Sequence, residues 1–199
     1  MVTRMNLVAS TLRPAIALEL KASAGFTLVE LLTVITIVAI LVALGMPSYR
    51  NVTDSNRISG EVNGLLGDMQ YARSEAIKEG QTVTVCSSAN PTAAAPTCSG
   101  ATSWQSGWIV FSDPNSNQTV DANEPVLKVQ RPFAVGDTFN SAPATSAVTF
   151  NREGFALGIP NTITVTLHAV VPTANSTRCL QITIVGQLTT QTSGQGACT

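Results

Sequence analysis

From Leu31 to Met46 the chain reads LLTVITIVAILVALGM, sixteen residues without a charge, and Glu30 is the only charged side chain between Lys21 and Arg50. Taken as a helix from Phe26 to Met46, this stretch is about 31 Å long, close to the roughly 30 Å hydrocarbon core of a bilayer. It can span a membrane. The flank before it carries Arg4, Arg13 and Lys21 against Glu19, a formal +2, and an excess of positive charge marks the cytoplasmic side. The part after Met46 is then exported. All four cysteines lie there, where an oxidising compartment favours disulfides.

Composition narrows the function classes. A chain of 199 residues allows one ordinary domain, or a domain of about 100–150 residues with an appendage, which leaves little room for a two-domain enzyme. Charged residues make up 12%, against roughly 25% in soluble domains. The formal net charge of −1 supplies no basic field to recruit nucleic acid. His168 is the only histidine, so His-rich metal sites are excluded and any His-dependent acid–base chemistry would pass through that residue.

A cleaved secretory signal is the competing reading of the apolar run. The residues after its core, Gly45-Met46-Pro47-Ser48-Tyr49, do not form a small-x-small cleavage site, and the run is longer than a usual signal core. A helical pattern also continues beyond it. Glu30 sits one turn into the run, where an unpaired charge costs on the order of 2.5–3.5 kcal/mol on insertion scales. A residue that unfavourable needs a partner.

Lys21-Ala-Ser-Ala-Gly25-Phe26-Thr27-Leu28-Val29-Glu30-Leu31-Leu32 resembles the class III signal of type IV prepilins and type II secretion pseudopilins. The resemblance implies cleavage between Gly25 and Phe26 by a prepilin peptidase on the cytoplasmic side, N-methylation of Phe26, and Glu30 as the fifth mature residue, serving assembly. Gly25 has no Cβ and lets a protease approach the backbone closely. The implied leader, residues 1–25, is longer than that of many relatives, and Met5 offers an alternative start.

Beyond the run, Gly45 and Pro47 interrupt the helical pattern, and Pro47 predicts a kink or a locally melted turn. Ile58, Val62, Leu65, Leu66, Met69, Ala72, Ala76 and Ile77 then recur at three- and four-residue spacing as one apolar stripe, with Arg57 and Glu61 on the polar face. Gly60, Gly64 and Gly67 each weaken a helix by roughly 1 kcal/mol, so this half needs a sheet against it, and Gly80 is its stop. From residue 81 the period becomes two. Strands are expected at 82–86, 108–111, 126–130, 147–150, 162–168 and 179–185, with loops at 87–103 and from Thr190 onward. The fold class is α+β and pilin-like: a long N-terminal helix, half membrane and half amphipathic, packed on antiparallel β-sheets of a disulfide-stabilised head. The expected divisions are a leader at 1–25, a transmembrane and filament-core helix at 26–49, and a half-helix with head at 50–199.

Four cysteines allow three connectivities, and sequence proximity favours Cys86 with Cys98 and Cys179 with Cys198. No pair has the C-x2-C or C-x4-C spacing of a metal site. Gly107-Trp108-Ile109-Val110-Phe111-Ser112-Asp113, then Asn115, Asp121 and Glu124-Pro125-Val126-Leu127, is similar to the central signature of the pseudopilin H and minor pilin family, whose members prime or cap a filament. Asp113, Asn115, Asn117, Thr119, Asp121 and Glu124 also fit the ligand positions of a calcium-binding EF-hand loop, but Gln118 stands where that loop needs glycine. A polar hairpin loop built on Asp and Asn turn chemistry is the favoured reading.

Some competence-associated minor pilins of this family bind DNA through a Gly-Arg-x-Arg turn. The corresponding turn here, Gly186-Gln187-Leu188-Thr189, has no arginine, and Cys179 to Thr199 contains no Lys or Arg, leaving Arg152 and Arg178 as the only candidates. An enzyme is not expected. His168 falls on the strand face of Thr162, Thr164 and Thr166 as a solvated histidine, and Trp104 and Trp108 read as packing. The expectation is a minor pilin or H-type pseudopilin without cofactor, anchored once in the bacterial inner membrane with its head in the periplasm. Its expected partners are prepilin peptidase, other pilin or pseudopilin subunits and membrane lipid, with DNA disfavoured. The alternatives are a DNA-binding competence pilin and a membrane-anchored periplasmic binding protein outside any filament.

Overall fold

The computed structural model describes residues 25–133 and 136–199, without the side chains of residues 47 and 48. All of the expected leader except Gly25 lies outside the described residues. Two compact units divide between Ala43 and Leu44.

In the first unit, helix α1 (Leu28–Glu79) begins at an N-cap supplied by Thr27. The Thr27 hydroxyl accepts from the Glu30 amide at 3.2 Å, and the Thr27 carbonyl accepts from the Leu31 amide at 3.1 Å. The first of these bonds satisfies an amide that a helix start leaves without a partner, and the second opens the helical ladder. From Leu28 to Leu44 the large apolar side chains are exposed on every face, and a helix apolar all round belongs in an apolar surrounding. Two threonines within the run satisfy themselves: Thr33 donates to the Glu30 carbonyl at 2.9 Å and Thr36 to the Leu32 carbonyl at 2.7 Å. Such back-bonding removes hydroxyls that lipid could not solvate.

The expected melted turn at Pro47 does not form, because α1 is helical without a break from Leu28 to Glu79. A proline removes one amide donor, and the flanking bonds of the ladder suffice to hold the turn.

In the second unit the stripe of α1 consists of Ile58, Val62, Leu65, Met69, Ala72 and Ala76, all buried, with Leu66 packed beside them. Ile77, expected in the stripe, is about half exposed, because the core contact ends with Ala76. Gly80 stops the helix with φ +69°, its amide donating to the Ala76 carbonyl at 3.0 Å.

Among the described residues nine strands come after α1: β1 Val83–Ser87, β2 Trp108–Ser112, β3 Val126–Gln130, β4 Thr138–Ala142, β5 Ala147–Phe150, β6 Ala156–Leu157, β7 Thr162–His168, β8 Thr177–Thr183 and β9 Leu188–Thr192. They form two antiparallel sheets, ordered β3-β2-β1-β5-β6 and β4-β7-β8-β9. Strands β4, β6 and β9 are not expected from the sequence. Strand β9 corrects the loop expected from Thr190 onward, and it leaves the turn before it at 184–187.

The central strands β1, β2 and β5 are buried along their whole length. Val83, Val85, Trp108, Val110, Val148 and Phe150 join the helix stripe in the main core. On the other face Cys86, Ile109, Phe111 and Ala147 form a second core under Cys98, Val120 and Val126. The first sheet is therefore sandwiched between α1 and two loops. Cys86 is bonded to Cys98, which holds one of those loops, and Cys179 is bonded to Cys198, which fastens the C-terminal tail to β8.

Candidate functional site

Gly25, Phe26 and Glu30, the residues expected to serve processing and assembly, fall at the entrance to α1. Gly25, Phe26 and Thr27 precede the helix, and Phe26 is largely exposed. An added Cβ at Gly25 would meet nothing within 4 Å, so the backbone is open on that side. Glu30 occupies the third helical position, where its amide is capped by Thr27. Its carboxylate is exposed and has no ion-pair partner among the described residues. A carboxylate in a first helical turn also interacts favourably with the positive end of the helix dipole. Thr27 was missed in the sequence, although Thr-x-x-Glu ahead of an apolar run is the signature of a capping box.

In the head, the Asp113 loop covers the outer face of the first sheet. Asp113 is fully buried. Its Oδ1 accepts from the Asn117 amide at 3.1 Å, and its Oδ2 accepts from the Gln118 amide at 3.0 Å and the Thr84 hydroxyl at 2.7 Å. Asn115 Oδ1 accepts from the Asn117 amide and Asn117 Oδ1 from the Thr119 amide, both local Asx turns. The Asn115 and Asn117 side-chain amides donate to Asp121 Oδ2. Carboxylates that a calcium loop would turn onto an ion here receive N–H and O–H groups. Among the described residues no three His, Cys, Asp or Glu side chains assemble as a metal site.

Arg57 and Glu61 do not sit on a solvated polar face. Arg57 Nη2 lies 3.0 Å from Asp137 Oδ1 and 3.2 Å from Asp54 Oδ1, and the Asp137 side chain is completely buried. Burial pushes the Glu61 carboxyl up to about 7, the Asp137 charge adds to the rise, and Arg57 opposes it. Asp137 is raised as well, again chiefly by burial, with Arg57 and the Val170 amide pulling the other way. Sequence spacing could not find this cluster, because Asp137 arrives from the start of β4.

The sign of the pH dependence comes from proton binding. The folded head holds the Glu61 proton more tightly than the unfolded chain does, so its stability declines as pH rises from 4.5 to about 7. Glu61→Gln is expected to stabilise the head by about 1–3 kcal/mol near pH 8, discounted for partial exposure, and by almost nothing near pH 4. Denaturant titration at both pH values measures it. Equal effects at the two would show that this carboxyl does not titrate in the interval.

Asp68 ties α1 to the first sheet: Trp108 Nε1 donates to its Oδ2 at 2.9 Å and Lys128 Nζ pairs with its Oδ1 at 2.9 Å, while Lys128 also lies over the Tyr71 ring. Trp104 and Trp108 are both core residues. His168 is half-buried, and its Nδ1 lies 3.1 Å from the Thr177 hydroxyl. The turn before β9 packs on Arg73, whose Nε donates to the Gly154 carbonyl at 3.0 Å. Gly186 has φ +75° there, and an added Cβ would run into the same carbonyl oxygen. Arg178 Nη2 bonds the Ser55 hydroxyl, and Arg152 pairs with Glu153 on the surface.

Comparison with known proteins accords with this construction. Residues 61–187 match the family described as Type II transport protein GspH, and residues 20–46 match the prokaryotic N-terminal methylation motif. The chain belongs to the GspH family of minor pilins and pseudopilins, structural proteins and not a family of enzymes. Two fimbrial proteins of Pseudomonas aeruginosa are each 36% identical over 72 residues, 36% of this chain and 45% of theirs. The chain thus matches less than half the length of those relatives. The crystal structure of the type IV minor pilin FimU of P. aeruginosa PAO1 shares the fold at a TM-score of 0.54 and 19% identity, covering 70% of this chain and 92% of that one.

Proposed function

We propose that the chain is made as a precursor anchored once in the bacterial inner membrane, cut between Gly25 and Phe26 by prepilin peptidase, and N-methylated on Phe26. The mature protein then joins a type II secretion pseudopilus or a type IV pilus, where it primes or caps assembly. Residues 26–49 form its membrane and filament-core helix, and residues 50–199 form the half-helix and periplasmic head. The observation that carries the reading is the placement of Gly25-Phe26-Thr27 immediately ahead of α1, with Glu30 in its first turn and its apolar side chains exposed on every face up to Leu44. A cut there removes the basic leader and keeps the anchor. DNA binding forms no part of the reading, since neither the turn at 184–187 nor β9 after it has an arginine, and Arg73 beside that turn is engaged with Gly154.

The intact mass of protein purified from cells with and without the peptidase tests it. The mature mass should correspond to a chain starting at N-methyl-Phe26, and the peptidase-free mass should include the leader. Identical masses would overturn the processing step.

A further inference from the structure

Two valines stand exposed on the head beside the first residues of α1 in the same unit. Val170 is 58% exposed and Val171 69%. Val171 shares a depression with Met46, Arg50, Asn51 and Asp54. The loop carrying them is pinned. The Val170 amide donates to Asp137 Oδ1 at 3.1 Å, the oxygen that Arg57 also holds, and the Ala169 amide donates to the Ser176 carbonyl at 3.2 Å. Ser176 Oγ reaches the Val171 carbonyl at 3.4 Å, and a capping box between Thr173 and Ser176 fixes the short turn after it. A buried aspartate thus fixes the backbone of an apolar tip that covers nothing in its own head.

The neighbouring helix residues give its level. The apolar run ends at Met46, and after Pro47 and Ser48 come Tyr49, 72% exposed, and Arg50. Tyrosine and arginine at the end of an apolar segment mark the headgroup region. Arg50 lies about 6 Å beyond Met46 along the helix at ~1.5 Å per residue, within the polar zone that flanks a hydrocarbon core.

The geometry points to a second membrane contact: the Val170–Val171 tip inserts into the headgroup and upper acyl region of the bilayer that holds the apolar helix. It holds the head against the lipid surface until the subunit is extracted. Valines are suited to that boundary, and Arg50 beside them suits anionic headgroups. This rests on the reading that residues 26–46 span a bilayer, so the test scores anchoring separately.

The full chain is reconstituted into vesicles of phosphatidylethanolamine and phosphatidylglycerol containing lipid brominated near the top of the acyl chain. Tryptophan quenching is compared for Val171→Trp and Val185→Trp, with the wild type giving the background of the core residues Trp104 and Trp108. Val185 lines the depression with Gln70 and Arg73, about 30 Å further along α1. Both exposed sites tolerate the larger ring. Quenching above background at least about twofold stronger for Val171→Trp than for Val185→Trp is expected for a tip inserted about 5–10 Å into the interface. Protein that floats with the vesicles but shows equal quenching at the two positions overturns the inference alone. So does a Val171→Trp signal that stays unquenched in vesicles and shifts only when other pilin subunits are added, which would assign the tip to a protein neighbour. Protein that does not float overturns the anchoring and the inference together.

Discussion

Replacing Asp113 by alanine is expected to lower the melting temperature of the head by about 5–10 °C, which corresponds to about 2–3 kcal/mol in a domain near 150 residues. The carboxylate is fully buried and accepts from two backbone amides and the Thr84 hydroxyl. Alanine leaves the half-buried Gln118 amide without its acceptor and takes one of two partners from the buried Thr84 hydroxyl, while the Asn117 amide keeps Asn115 Oδ1, in a loop that covers Thr84, Thr149 and the second core. Each buried donor left unpaired costs roughly 1–3 kcal/mol. Asp113→Asn keeps the shape but turns one acceptor into a donor that faces other donors, so a loss of about half that size is expected. Tryptophan fluorescence of the full chain in detergent reports the transition, since Trp104 and Trp108 are both in the core. A fall of under about 3 °C would show that the loop does not depend on this carboxylate. Calcium serves as the second arm. If the loop closes on its own amides, added calcium leaves the wild-type transition where it is, whereas a rise would restore the ion-binding reading.

How much of this was legible depends on the range of the interactions. The apolar run, the stripe from Ile58 to Ala76 and the stop at Gly80 rest on local periodicity and a single backbone requirement, and the chain alone carries both. Strand β7 was equally clear, because Ile163, Val165 and Leu167 alternate inward. Strand β4, with the sequence Thr-Phe-Asn-Ser-Ala, buries only Phe139, so it has no alternation to find. Strand β9 is uncharged and mostly exposed, and it is held by pairing with β8 and not by burial. The burial of Thr84 and Asp113 was invisible for a different reason. Their environment is a loop that folds back over a sheet face, and no period in a strand reveals what covers its outer side. Arg57 and Glu61 looked like an ordinary surface pair at helical spacing until β4 brought Asp137 against them. At Pro47 the local signal for a melted turn is outweighed by the helix on either side.

For Glu30, two roles remain that make opposite predictions. As the third residue of α1 behind Thr27, it stands where a side chain can hydrogen-bond back to the helix start, a role that glutamine supplies nearly as well in a capping box. As an assembly residue it would pair with the amino terminus of Phe26, its own or a neighbouring subunit's, once cleavage has created that cation. Pairing in a low dielectric fixes axial register, and removing one member of such a pair costs roughly 3–5 kcal/mol because the other charge is stranded. The head is insensitive in either case, since its buried residues begin at Ile58. Glu30→Ala and Glu30→Gln are therefore both expected to leave membrane insertion and the thermal transition unchanged, while the ratio of filament-associated to membrane-retained protein falls by about tenfold, roughly 1.4 kcal/mol. The fall is set below the full cost of a stranded charge because a subunit at a filament end lacks one neighbour. The glutamine variant decides between the roles. If it assembles like wild type while alanine does not, Glu30 acts as a helix cap. If both fail alike, the charge itself is what the neighbouring subunit recognises. If both assemble normally, Glu30 has no part in assembly, and a simple membrane-anchored protein becomes the better account.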